Sequence, residues 1–149
     1  LNVGSTLPEL VLMAEQLPTI LLCESYPGLQ EAFQLMLEGW ASLRVTPSVD
    51  ECLAALTQDA PDLLILDIDD QKDDPLALVA HLRGAYPHLK VLLVAAQFAY
   101  DFQVACVKLG QFSFLTKPFS APAAVAKMKA LLGLATPSIH TRVVKIALS

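Results

Sequence analysis

The chain predicts an α/β fold, a doubly wound (βα)₅ parallel sheet with helices on both faces. Three observations predict it. Short apolar runs bounded by turn residues alternate with stretches whose apolar residues recur every three or four positions. The connections are short, which suits crossovers between neighbouring parallel strands. One run, Leu63-Leu-Ile-Leu66, is apolar at every position, the mark of a strand buried on both sides. At 149 residues the chain suits one domain with a sizeable core.

The elements follow in order. Ile20 to Cys23 is the first strand, ended by the turn pair Pro27-Gly28. Leu29, Phe33, Met36 and Leu37 repeat at helical spacing, and Gly39 ends that helix. Leu43 to Thr46 is a modest second strand. Ser48-Val-Asp-Glu51 has the form of a capping box, ahead of an apolar stripe of Val49, Cys52, Leu53 and Leu56. Pro61 precedes the third strand, Leu63 to Leu66. Asp74-Pro75 supplies an N-cap and a proline at the first helical position. Leu76, Val79 and Leu82 form that helix's inner face, and Gly84 and Pro87 end it. Val91 to Ala96 is the fourth strand. Phe98, Phe102, Ala105 and Leu109 are helix-spaced, with Gly110 as the residue past the end. Phe112 to Leu115 is the fifth strand. Ser120 caps a last helix with Val125, Met128 and Leu132 inward and Gly133 after it.

The repeat places a domain over residues 19–133. Residues 1–18 form an N-terminal extension, and 134–149 form a C-terminal extension or linker, apolar enough from Ile139 to Leu148 for an extra strand. The chain begins at Leu1, which reads as a cut from a longer protein. Leu10 to Ala14 is too short, and lacks the basic start, for a signal peptide. No apolar run reaches the roughly 18 residues of a membrane span.

The formal net charge is -5, and Asp67 to Asp74 holds -4 of it: five aspartates against Lys72. Such a focus argues against direct nucleic-acid binding. It is either a cation site or a solvated loop. Cys23, Cys52 and Cys106 sit in apolar patterns without metal-type spacing, which fits core packing and a reducing, cytoplasmic setting.

Two residues carry candidate chemistry. Asp67 closes the third strand, and Lys117 follows the fifth in Phe114-Leu-Thr-Lys117-Pro118-Phe119. Open α/β sheets bind ligands at the carboxyl ends of their strands. Opposite charges at that edge predict a polar site with an acidic nucleophile and a cationic stabiliser.

At this point the chain resembles a family. Residues from about Thr19 to Leu132 resemble the receiver domain of bacterial two-component response regulators. The matching pieces are Thr19-Ile-Leu-Leu-Cys-Glu24-Ser-Tyr-Pro27, Pro61-Asp-Leu-Leu-Ile-Leu-Asp67-Ile and Leu115-Thr-Lys117-Pro118-Phe119. The resemblance implies the flavodoxin-like, CheY-like fold with strand order 2-1-3-4-5. It implies a phosphoacceptor, not an enzyme beyond self-catalysed phosphotransfer and autodephosphorylation. A partner histidine kinase or phosphotransfer protein would phosphorylate Asp67 with the help of Mg²⁺. Lys117 matches the lysine that pairs with the phosphoryl group, and Pro118 a proline after a cis bond. Ala95 and Phe114 match the switch positions, and Glu24 a metal acid. The face made by the fourth helix, fifth strand and fifth helix is the one this family uses for output domains, partner proteins and homodimers. Tyr100, Asp101, Gln103 and Lys108 are candidate exposed positions there. Tyr26 and Gln97 fall in loops at the site edge, where the family tunes phosphoryl lifetime.

The match breaks twice. Ser25 stands where the family has the direct metal-ligating carboxylate. Ala95 stands where it has a Thr or Ser whose hydroxyl binds the phosphoryl group, and alanine has no donor. The expected metal set is therefore Glu24, Asp67 and Asp69, with Asp70 as the alternative replacement acid. Both departures mark an atypical receiver and keep open a phosphorylation-independent pseudo-receiver that binds proteins. A flavodoxin-like enzyme or nucleotide binder is disfavoured, because Glu24-Ser-Tyr-Pro-Gly28 lacks phosphate-cradling glycines.

Overall fold

The computed structural model describes residues 16–71 and 73–134. Residues 1–15 of the expected 1–18 extension, and residues 135–149 of the expected 134–149 extension with its Ile139 to Leu148 strand, lie outside the described residues. Five strands alternate with five helices: β1 Thr19–Cys23, α1 Pro27–Leu37, β2 Ser42–Thr46, α2 Val49–Gln58, β3 Leu63–Asp67, α3 Pro75–Ala85, β4 Val91–Ala95, α4 Tyr100–Leu109, β5 Phe112–Thr116 and α5 Ala121–Leu131. The sheet is parallel throughout, in the order β2-β1-β3-β4-β5. This is the flavodoxin-like arrangement.

Alternation along the strands divides the core in two. Leu21, Cys23, Leu64, Leu66, Val91 and Leu93 face one side and pack with Cys52, Leu56, Val79, Leu82 and Cys106 of α2, α3 and α4. Ile20, Leu22, Leu63, Ile65, Leu92 and Val94 face the other and pack with Phe33, Leu37, Ala124 and Met128 of α1 and α5. β3 and β4 are buried at every position, as central strands covered on both faces must be. β2 and β5 are the edges. β2 alternates exposed and shielded residues, and on β5 the Lys127 ammonium of α5 donates to the Phe114 carbonyl.

The helix starts follow their capping chemistry. Ser48 Oγ accepts from Glu51 N at 3.2 Å, Asp74 Oδ1 from Leu76 N at 3.0 Å, and Ser120 Oγ from Ala123 N at 3.2 Å. Gly110 ends α4 at φ 85°, a left-handed conformation that glycine adopts without a Cβ clash.

Several expectations need correction. Pro27-Gly28 does not form a turn before α1; it is the first turn of α1, with proline tolerated where the amide has no helical partner. α3 runs through Gly84 to Ala85. Leu76 is 36 % exposed, and the inward residue of that turn is Leu78. Phe98 lies before α4, stacked on Phe102 with ring centroids 6.4 Å apart.

Candidate functional site

The parallel sheet brings the ends of β1, β3, β4 and β5 to one edge. Glu24 directly follows β1, Asp67 is the last residue of β3, Ala95 the last of β4, and Lys117 directly follows β5. Backbone ladders continue past the strand ends and fix these positions. Glu24 N donates to Thr46 O at 3.0 Å, Ile68 N to Val94 O at 2.9 Å, and Lys117 N to Ala95 O at 2.8 Å. The Lys117–Pro118 peptide is cis.

Asp67 is 1 % exposed and its two oxygens have different neighbours. Oδ2 meets Lys117 Nζ at 2.5 Å, and Oδ1 accepts from Asp69 N at 2.9 Å. Lys117 Nζ also reaches Asp69 Oδ2 at 3.0 Å. That same Oδ2 accepts from Ala96 N at 2.9 Å. Partial burial pulls the Lys117 pKa down, but the two aspartates outweigh it and hold the ammonium above its ordinary value. The cation is therefore fully charged at neutral pH.

An acidic trio lies on the other side of Asp67. One oxygen each from Glu24, Asp67 and Asp70 falls within 4.8 Å of the others. Glu24 is 2 % exposed, and burial, then the close approach of the Asp67 carboxylate, pushes its carboxyl up to about 8. Its Oε2 accepts from Tyr26 N at 3.2 Å, while Oε1 is buried without a hydrogen-bond partner. Buried acceptors without partners are uncommon and call for a proton or a cation. Asp70 is brought in by Ser25, whose hydroxyl donates to Asp70 Oδ2 at 2.6 Å and holds that carboxyl below the usual range.

The structure places the acids expected around a metal as follows. Glu24 and Asp67 come together as expected, but Asp70 joins them and Asp69 does not. The reason is local: Lys117 and the Ala96 amide compete for the Asp69 carboxylate, and Ser25 holds the Asp70 carboxylate. Side-chain direction in a turn carries no periodic signal, so a sequence pattern cannot choose between adjacent aspartates.

The residues expected at the switch positions, Ala95 and Phe114, are apolar. Ala95 is fully buried. Phe114 is half-buried and packs edge-on against Phe98, with centroids 5.1 Å apart and planes at 74°. Tyr26 and Gln97 are exposed at the rim. Cys23 lies beneath the site beside Cys52; that thiol neighbour, then burial, raises its thiol pKa and keeps it protonated. A protonated buried thiol is a poor nucleophile. The Cys23–Cys52 pair went unforeseen, though both residues fall at inward positions on β1 and α2.

The family model for the response regulator receiver domain matches residues 20–129. Response regulator protein FleR of Pseudomonas aeruginosa is 34% identical over 105 residues, covering 70% of this chain and 22% of that protein. The DNA-binding transcriptional regulator NtrC of Salmonella typhimurium is 38% identical over 77 residues, covering 52% of this chain and 16% of that protein. The first curated relatives are at most 49% covered, so the chain spans about half their length or less. Among solved structures, the receiver domain of NtrX from Brucella abortus superposes with a TM-score of 0.66 at 26% identity, covering 78% of this chain and 99% of that one.

Proposed function

The chain belongs to the response regulator receiver domain family, and from that premise we propose that it accepts a phosphoryl group on Asp67 in two-component signalling. The observation that carries this is the pairing of a buried carboxylate with a charged lysine, Asp67 Oδ2 to Lys117 Nζ at 2.5 Å, at the strand-end edge. An Asp67 oxygen attacks phosphorus, the donor's bond to phosphorus breaks, and the donor leaves with that electron pair. For a histidine kinase or phosphotransfer protein the broken bond is P–N. Transfer spreads charge over the phosphoryl oxygens, so the chain's task is positioning and cationic stabilisation. Lys117 supplies the cation. The Asp69 amide holds Asp67 Oδ1 and fixes the plane of the carboxylate.

The residues fit Mg²⁺. Glu24 Oε1 is an orphaned buried acceptor, and three carboxylates offer hard oxygen ligands close together. Glu24, Asp67 and Asp70 would hold it. When bound it supplies positive charge that draws the phosphoryl oxygens toward Asp67. Ser25 here is a positioning residue: its hydroxyl holds Asp70 in the place left by the missing acid. The output surface is the α4-β5-α5 face, where Tyr100 is 78% and Val107 66% exposed.

The second reading is a pseudo-receiver that binds partners without phosphate. Ala95 favours it, because a buried methyl cannot bond the phosphoryl group and so gives phosphorylation less hold on the switch. Intact-mass spectrometry after incubation with a small-molecule phosphodonor and Mg²⁺ separates the two. One added phosphoryl group on the native chain, absent from Asp67→Asn, supports the phosphoacceptor. No added mass at any time or Mg²⁺ concentration supports the pseudo-receiver.

A further inference from the structure

The proposed chemistry uses the Asp69 backbone amide but not its side chain. Its Oδ2 accepts from Ala96 N at 2.9 Å and from Lys117 Nζ at 3.0 Å. Lys117 in turn touches Asp67 Oδ2. One carboxylate oxygen therefore occupies a cradle formed by an ammonium and a backbone amide, immediately beside the proposed acceptor. A phosphoryl group on Asp67 needs donors of this kind within hydrogen-bond distance. Here two of them already hold an anion belonging to the chain.

The arrangement has a cost. Asp67 and Asp69 share one lysine, so two like charges are held close together. The Asp69 side chain is 36% exposed and sits in the turn after β3, and its Oδ2 is held by the Ala96 amide and the Lys117 ammonium.

We propose that the Asp69 carboxylate is a built-in occupant of the phosphoryl cradle, an internal competitor that an incoming phosphoryl or phosphate group must displace. This rests on the phosphoacceptor reading for the name of the competing ligand, but the cradle itself is tested without phosphotransfer. In native chain and Asp69→Ala, inorganic phosphate is titrated while the Ala96 and Lys117 backbone amides are followed by nuclear magnetic resonance. Asp69→Asn keeps an oxygen without charge and serves as a second variant. Asp73→Asn removes a nearby exposed charge that has no part in the cradle.

Asp69→Ala is expected to bind phosphate at least about tenfold more tightly than the native chain, the scale of one charge-assisted hydrogen bond. Asp69→Asn falls between them, and Asp73→Asn stays within about twofold of native, the scale of a screened surface charge. Equal affinity in native and Asp69→Ala overturns the proposal. So does a gain in Asp73→Asn as large as in Asp69→Ala, because the effect is then net charge alone. Small-phosphodonor labelling followed by mass separates the two readings. Tighter phosphate binding in Asp69→Ala with no covalent product in either protein keeps the internal competitor and overturns phosphotransfer. Covalent product on both at the same rate, with equal phosphate binding, does the reverse.

Discussion

Asp67 and Lys117 were legible because each sits at the end of an apolar strand, where periodicity tells which edge of the sheet a residue reaches. Glu24 was legible for the same reason. Asp69 and Asp70 were not, because they share a turn and their directions depend on donors from three other segments. Ser25 replaces an acid in the sequence pattern, yet its hydroxyl holds Asp70 within the acidic trio. Ser25→Ala is expected to weaken Mg²⁺ binding roughly tenfold or more, since outer-shell partners orient metal ligands. Ser25→Asp should restore or exceed native affinity, with both read by calorimetric titration. Unchanged affinity in Ser25→Ala would remove Asp70 from the metal set.

Glu24 gives a pH dependence. Its carboxyl titrates near 8 in the folded chain because it is buried beside Asp67, well above the ordinary carboxylate value it regains on unfolding. Between those values the folded chain binds more protons than the unfolded chain, so stability falls as pH rises through that window. The loss is on the order of a few kcal/mol once pH passes 8. Thermal unfolding in chelator from pH 5 to 8 should show Tm falling, and Glu24→Gln should flatten the slope. A native profile flat across that range would contradict the burial of an ionisable Glu24.

At the scale of elements, local chemistry decided most boundaries. Ser48, Asp74 and Ser120 cap helices as their residue types imply, and Ser48→Ala is expected to cost about 1 kcal/mol in denaturant unfolding. The misreadings occurred where one residue type serves two structures. Pro-Gly marks a turn in many contexts, but a proline fits the first turn of a helix equally well, and here α1 begins on it. Leu76 has an apolar side chain at helical spacing, but it lies in the first turn of α3 beyond the edge of the core, so spacing alone does not bury it. Phe114 and Phe98 tie β5 to the loop before α4. Phe114→Ala should loosen that loop, read as faster amide exchange at Phe98 to Tyr100 with little change in β4.

At the scale of the whole molecule, the two-sided core was legible from continuous apolar strands, whereas strand order was not. Order depends on which crossover direction each connection takes, and periodicity is silent about that; the family resemblance supplied it. Because the sheet separates two packed layers, large-to-small changes on opposite faces should act independently. Phe33→Ala beneath α1 is expected to cost about 3–5 kcal/mol and Leu82→Ala beneath α3 about 2–5. Measured together, they should add within about 0.5 kcal/mol.

The edges of that sheet bear on how the chain behaves in a crowd of its own copies. A parallel sheet ends on both sides in backbone groups that lack a neighbouring strand, and each is a template for another chain to stack upon. Here both end strands are five residues long, β2 sets Arg44 on its outer row, and β5 has its Phe114 carbonyl taken by an ammonium from α5. Among the described residues, the engaged carbonyl and the five-residue strands shorten the ladder that another chain could extend, in a protein with only 17% charged residues.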